Sequence, residues 1–330
     1  MRDTLFCVLS VLVSLALAIV SLRYVTDYWL LAFVYSFQIH IALACLAVAL
    51  LALLVKRHWY GMFLVATCLV LAGHGIFMLR QFANGSAPLF ARTAVAADSG
   101  HSYRLVSFNI WNTNLENGAK IADAIIASKA DVVFVLESMP LLGELSRISQ
   151  TYPYRIGCGV EMSNCDLMML SKRPFLTKSV QTLGGIWSDR FILTSVDLDG
   201  QPVNFAAAHL TKPYFDEFHT VELERLSGIL SETKGPLILA GDFNSSILAP
   251  DMQNFLRTDG LRNAFPEPAT WPIEAGRFGI AIDHVFARPP VTLKSVSRID
   301  NMGSNHYGLV ADFTIAGETP VASLSQPRLR

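Results

Sequence analysis

The stretch "GPLILAGDFN", Gly235–Asn244, is an apolar run of strand length that ends on a glycine, an acid, an aromatic ring and an amide. Leu237 to Ala240 have the pattern of a buried strand, and Gly241-Asp242 closes it. Taken alone, Asp242 needs no function: an aspartate beside a glycine readily forms an Asx-turn. The ending becomes informative because it recurs. "YRLVSFNI" (103–110) ends at Asn109, and "ADVVFVLES" (130–138) ends at Glu137. "RFILTSVDLDGQPVNFAAAHL" (190–210) turns at Asp199-Gly200 and ends at His209. Asp283 interrupts "IAIDHVFAR" (280–288), and His306 lies just before "GLVADFTI" (308–315). Each residue has an ordinary reading as a cap or an exposed strand end. Together with Asn244, seven such residues at the ends of six strands are difficult to assign to turn chemistry. Loops at one edge of a rigid sheet are where sites are usually built.

Further strands are expected at 165–174 and 291–299. Helices are expected at 115–128, on Ile121, Ala124, Ile125 and Ser128, and at 215–233, on Phe218, Val221, Leu226, Ile229 and Leu230. Many strands with few helices between them predict an α+β fold. Two packed, mostly antiparallel sheets would be flanked by helices, giving a four-layer α/β/β/α sandwich.

The first 80 residues differ in kind. Residues 5–22, 28–55 and 59–79 are apolar and long enough to cross a ~30 Å hydrocarbon core as helices. The second is longer than one crossing requires, so it tilts or begins in the interface. Tyr24, Tyr28, Trp29, Trp59 and Tyr60 sit near the ends, as interfacial aromatics do. The first stretch also has features of a signal peptide, with Arg2, an apolar run and then small residues. Lys56–His58 is the most basic connection and is expected on the cytoplasmic side, which places everything after the third span outside, in a bacterium the periplasm. His40 and His74 fall within spans and are read as neutral histidines bonded to a neighbouring helix. Residues 81–101 are expected to be a linker that does not force the site toward the bilayer, 102–315 the catalytic domain and 316–330 a loose tail.

Charge follows the same division. Only 16% of residues are charged, against about 25% in a typical soluble protein. After residue 80 the chain holds 21 of its 26 basic and 25 of its 27 acidic residues. A mildly acidic domain counts against long duplex DNA gripped mainly through its phosphates. Cys7, Cys45 and Cys68 lie in the spans as small apolar residues. Cys158 and Cys165 sit in the glycine-containing stretch "GCGVEMSNCD" and read either as two thiols or as a disulfide, which an oxidising compartment favours.

The polar strand ends also make chemical sense as a group. Carboxylates with amide oxygens suit a hard cation such as Mg²⁺, and no zinc-type His/Cys spacing is present. Histidines can contact phosphate oxygens, and an aspartate can fix a histidine's tautomer and orientation. "SFNIWN", "VVFVLES", "AAHL", "LILAGDFN", "AIDHVF" and "GSNHYGLVADF", in this order, resemble the endonuclease/exonuclease/phosphatase superfamily, whose fold is like that of pancreatic deoxyribonuclease. The resemblance covers about residues 103–315.

It implies a role at each matching position. Glu137 and Asn109 would bind Mg²⁺ or Mn²⁺. Asp242 would orient or deprotonate the attacking water, and Asn244 would bind the phosphate or the water. His209 would stabilise phosphate oxygens or the leaving group. Asp283 would hold His306 against the scissile phosphate, and Asp166 would orient His209. Asn305 departs from the family, which usually has an acid before this histidine, so it would be a neutral metal ligand. The implied activity is metal-dependent hydrolysis of a phosphodiester, in nucleic acid or a phospholipid head group, by a protein whose other partner is the bilayer. The alternative is a catalytically weakened, membrane-tethered binding domain on the same fold.

Overall fold

The computed structural model describes residues 1–83 and 101–316. Most of the expected linker and nearly all of the expected tail lie outside the described residues.

Four helices come first: α1 (Arg2–Ser21), α2 (Trp29–Ser36), α3 (Gln38–Val55) and α4 (Trp59–Gln81). Among the described residues, three are long and apolar enough to cross a membrane: Arg2–Tyr24, which contains α1, together with α3 and α4. The expected second span, 28–55, is divided. It breaks at Phe37, so α2 stands apart as a short helix. Next to the break the buried Gln38 amide donates to the Leu71 carbonyl at 2.9 Å. His74 meets the Tyr24 hydroxyl at 2.9 Å, whereas the partner of His40 lies in the sandwich rather than on a helix.

The rest of the described chain is a four-layer sandwich of two six-stranded mixed sheets. Its strands are β1 (Tyr103–Asn109), β2 (Val132–Leu136), β3 (Tyr154–Ile156), β4 (Leu167–Ser171), β5 (Phe175–Gln181) and β6 (Phe191–Leu198), followed by β7 (Gln201–His209), β8 (Leu237–Asp242), β9 (Arg262–Asn263), β10 (Asp283–Arg288), β11 (Val291–Ile299) and β12 (Gly308–Ile315). The helices are α5 (Gly118–Ala127), α6 (Leu145–Ile148), α7 (Phe218–Glu232) and α8 (Pro250–Thr258). One sheet has the order β11-β12-β1-β2-β4-β3 and the other β5-β6-β7-β8-β10-β9. Each contains one parallel pair, β1 with β2 and β7 with β8. Those strands are buried on both faces, which is why they read as unbroken apolar runs rather than alternating ones.

Three apolar layers hold the sandwich together. Phe134, Phe205 and Phe313 meet between the sheets. Ile121, Ala122 and Ile125 of α5 cover one outer face. Leu223, Leu226 and Leu230 of α7, with Met252 and Phe255 of α8, cover the other. The face of α7 differs from the expected one. His219 and Glu222 are buried, while Val221 and Ile229 are only half-buried, because both polar side chains find partners in the sandwich.

The helical bundle is seated on the sandwich. Residues 81–83, expected to open the linker, instead belong to this junction. Phe82 is buried in the layer under α7 and α8, its carbonyl accepts from the Asn263 N–H at 3.0 Å, and Ala83 pairs with Asn263 in parallel.

Candidate active site

The carboxyl ends of the two parallel pairs bring the polar strand ends together. Asn109 and Glu137 follow β1 and β2, and His209 and Asp242, directly paired in register, end β7 and β8. Asp283 opens β10 opposite Asp242, and His306 enters from the turn before β12.

The "GDFN" turn depends on its glycine. Gly241 has φ +145°, and a Cβ there would lie 1.9 Å from the Ala208 carbonyl oxygen. No other residue type permits this close approach of β8 to β7. Trp111, Glu137 and Asn244 also take left-handed backbone conformations, with φ of 64°, 53° and 50°. Such conformations cost on the order of 1–3 kcal/mol each and collect where a structure has to aim a side chain.

Two Asp–His pairs converge on one buried carboxylate. His209 Nδ1 lies 2.9 Å from Asp166 Oδ2, and His306 Nδ1 lies 2.8 Å from Asp283 Oδ2. The other ring nitrogens face Asp242 Oδ2, at 3.9 Å from His209 and 3.8 Å from His306. Asn109 donates its amide to the same Asp242 oxygen at 3.0 Å and to Glu137 Oε1 at 3.2 Å. Glu137 Oε2 accepts from the Asn112 N–H at 2.8 Å. Asn244 donates through its side chain to the Leu210 carbonyl, and its own N–H donates to Asp242 Oδ1 at 2.8 Å.

Electrostatics follow from this crowding. Burial and the facing Asp283 carboxylate push the Asp242 carboxyl above its ordinary pKa, against the pull of both histidines. Burial opposes the charged form of His306, but Asp283 and Asp242 outweigh it and hold the imidazolium at about 9. Burial also opposes ionisation of Asp166, yet His209 and Arg190 keep it below the usual carboxylate range.

Several supporting groups had no legible signal. Arg190 pairs with Asp166 at 2.9 Å. The Ser304 hydroxyl donates to the Asn109 carbonyl at 2.7 Å, tying the His306 turn to β1. His219 bridges Asp251 and the Phe243 carbonyl, at 2.7 and 2.8 Å. His284 bridges Glu267 and the Ser245 carbonyl, both at 2.9 Å. The loop carrying Asp242 and Asn244 is thus held from two sides by buried His–carboxylate pairs. Burial works against charge on both rings, but the carboxylates prevail and raise their pKa.

Not every expected member joins the cluster. Asn305 is exposed, and its side chain makes no hydrogen bond to the others. The sulfurs of Cys158 and Cys165 are bonded to each other at the cleft wall.

The donor set fits a hard cation. Glu137 is contacted only by neutral donors, it takes part in no salt bridge among the described residues, and two further carboxylates stand nearby. By ligand-atom distance alone, Asp242, Asp283 and His306 also form a possible cation site. In that trio, however, the Asp283–His306 hydrogen bond occupies the Nδ1 lone pair or proton, so a positioning pair describes it better than two free ligands.

A cleft of about 970 Å³ opens over the cluster, lined by Glu137, Asp166, Arg190, His209 and Asn244 and bordered by Leu142, Trp187, Lys212 and Phe215.

Comparison with known proteins agrees with this fold. The model of the Endonuclease/Exonuclease/phosphatase family matches residues 106–306. The crystal structure of D. rerio TDP2 complexed with a single-strand DNA product has a TM-score of 0.54 and 18% identity, covering 64% of this chain and 99% of that one. An endonuclease/exonuclease/phosphatase family protein from Leptotrichia buccalis has a TM-score of 0.52 and 16% identity, covering 64% and 100%. A UPF0294 protein of Vibrio parahaemolyticus is 34% identical over 103 residues, 30% of this chain, so the match spans about a third of that relative, 35%. The fold, the ordered strand-end residues and the family match together establish that the chain belongs to the endonuclease/exonuclease/phosphatase family.

Proposed function

We propose that the protein is a membrane-anchored, Mg²⁺-dependent phosphodiesterase. α1, α3 and α4 would cross the inner membrane, and residues 102–315 would act on its periplasmic side. What carries this is the convergence of two carboxylate-backed histidines on the buried Asp242, beside a Glu137 that only neutral groups contact.

Glu137 would hold the cation. Asn109, whose amide nitrogen faces Glu137 and Asp242 while its oxygen accepts from the Trp111 N–H, would turn that oxygen inward to join it. The exposed Asn305 would turn in from the loop before His306 as a further neutral oxygen donor. A bound Mg²⁺ would neutralise charge developing on the phosphate oxygens. Asp242 orients the attacking water and takes its proton, which its raised pKa favours. Asn244 binds the water or the phosphate, His306 donates to a phosphoryl oxygen, and His209 supports the leaving oxygen. Asp283 and Asp166 keep the two rings aimed. Positioning and charge stabilisation carry most of the rate in phosphoryl transfer, so rigid placement of these groups is the main contribution of the fold.

The test is hydrolysis of bis(p-nitrophenyl) phosphate by the full chain in detergent. Chelation should abolish turnover and Mg²⁺ or Mn²⁺ should restore it. Absence of turnover with either ion present would leave a tethered binding domain as the better description.

A further inference from the structure

The helical bundle sits on the same edge of the sandwich that carries the polar cluster. The Phe33 ring of α2 lies 5.8 Å from that of Tyr214 and 6.1 Å from that of Trp271. The Ser36 hydroxyl accepts from the Ser246 N–H at 3.1 Å, and His40 Nε2 meets the Phe278 carbonyl at 2.9 Å. These contacts fall on the three loops that follow β7, follow β8 and precede β10. The same loops begin at His209 and Asp242 or end at Asp283. Phe82 and Ala83, immediately after α4, are fixed to the sandwich as well. If α3 and α4 cross the bilayer, its surface therefore lies within a few residues of the loops that build the site.

The rim of the cleft is suited to such a surface. Tyr214, packed against Phe33, is followed by Phe215 and then, around the mouth, by Trp187 and Leu142; all four are exposed. The Arg190 guanidinium lies over the Trp187 ring at 4.6 Å, and Lys212 lines the same cleft. Aromatic rings beside cationic groups favour the head-group layer, where one end of the side chain is apolar and the other wet. The chain after residue 80 has more acids than bases, which counts against long nucleic acid gripped mainly through its phosphates.

We infer that the mouth of this cleft is applied to the lipid head-group layer of the bilayer holding the helices, and that the substrate is the phosphodiester of a membrane phospholipid entering from that layer. This rests on the phosphodiesterase reading given above. Water adds to phosphorus and loses one proton to Asp242. The P–O bond to the leaving alcohol breaks, and that alkoxide takes up a proton. The products are one alcohol and one phosphomonoester.

The test uses the full chain in nanodiscs of phosphatidylethanolamine and phosphatidylglycerol, with ordinary or brominated acyl chains. The emission lost on Trp187→Phe isolates Trp187. That component is expected to fall by about half or more in brominated lipid; equal emission in both lipids would overturn the contact. Independently of any variant at Trp187, the unaltered protein is expected to convert the phospholipids of its own disc, and Glu137→Gln is not. Cleavage of bis(p-nitrophenyl) phosphate or single-stranded DNA with the lipid untouched would overturn the substrate assignment. Cleavage of no diester at all would remove the hydrolytic reading, and with it the substrate half of the inference, while the quenching would still decide the contact.

Discussion

His306 Nδ1 lies 2.8 Å from Asp283 Oδ2, with both side chains buried and the far ring nitrogen turned toward Asp242. The pair joins the turn before β12 to the start of β10, so residues 23 apart in sequence form one unit.

This pair has a pH signature. Its imidazolium is held at about 9, above the ordinary 6.5. A raised folded-state pKa contributes stability that is fully present below the unfolded value and is lost as pH rises through the folded one. His306→Gln should therefore flatten the fall in thermal midpoint that the unaltered protein shows between about pH 7 and about pH 10. The alkaline limb of the rate profile should belong to the same group. A rate limb that survives unchanged in His306→Gln would assign it elsewhere.

His219 and His284 should matter although neither faces the cleft. His219→Ala would leave Asp251 buried without its partner and release the Phe243 carbonyl. Breaking a buried pair of this kind costs about 3–5 kcal/mol, and thermal unfolding of the detergent-solubilised chain should show it. His284→Ala should act alike through Glu267 and Ser245.

Asn305 makes a direct prediction about the cation. An acid here, next to His306 in sequence, would add a negative charge to the turn that enters the site, so Asn305→Asp should lower the Mg²⁺ concentration for half-maximal rate by about tenfold if the side chain turns in to the cation. An unchanged Mg²⁺ dependence would remove Asn305 from the metal set.

The Cys158–Cys165 bond closes a short loop, seven residues apart in sequence. Chain entropy values such a closure at about 2–3 kcal/mol. Reduction, or Cys158→Ala, should lower the unfolding midpoint by the corresponding amount, and reduction should cause no further loss in Cys158→Ala.

What was legible follows from what periodicity reports. Apolar runs mark strands covered on both faces, so β1, β2, β7 and β8 and the polar residues ending them could be read directly. The hairpin at Asp199-Gly200 was equally plain, because both residues take the left-handed conformation that such a turn demands. The buried face of α7 was less legible, since His219 and Glu222 earn burial only through partners on other elements. Arg190 gave no signal because its partner, Asp166, lies 24 residues away across the sandwich. The break at Phe37 sits inside an unbroken apolar run, where hydropathy has no contrast to show. Seating of the bundle on the site edge depends on single contacts such as Ser36 with Ser246, 210 residues apart.

The central claim is that this site hydrolyses a phosphodiester with a cation held by Glu137. The rate of bis(p-nitrophenyl) phosphate hydrolysis at saturating Mg²⁺, compared between the unaltered chain and Glu137→Gln, tests it most directly. Loss of one such ligand should lower the rate by on the order of a hundredfold or more, with thermal stability nearly unchanged. A Glu137→Gln protein that is folded and turns over at the rate of the unaltered chain would contradict the account.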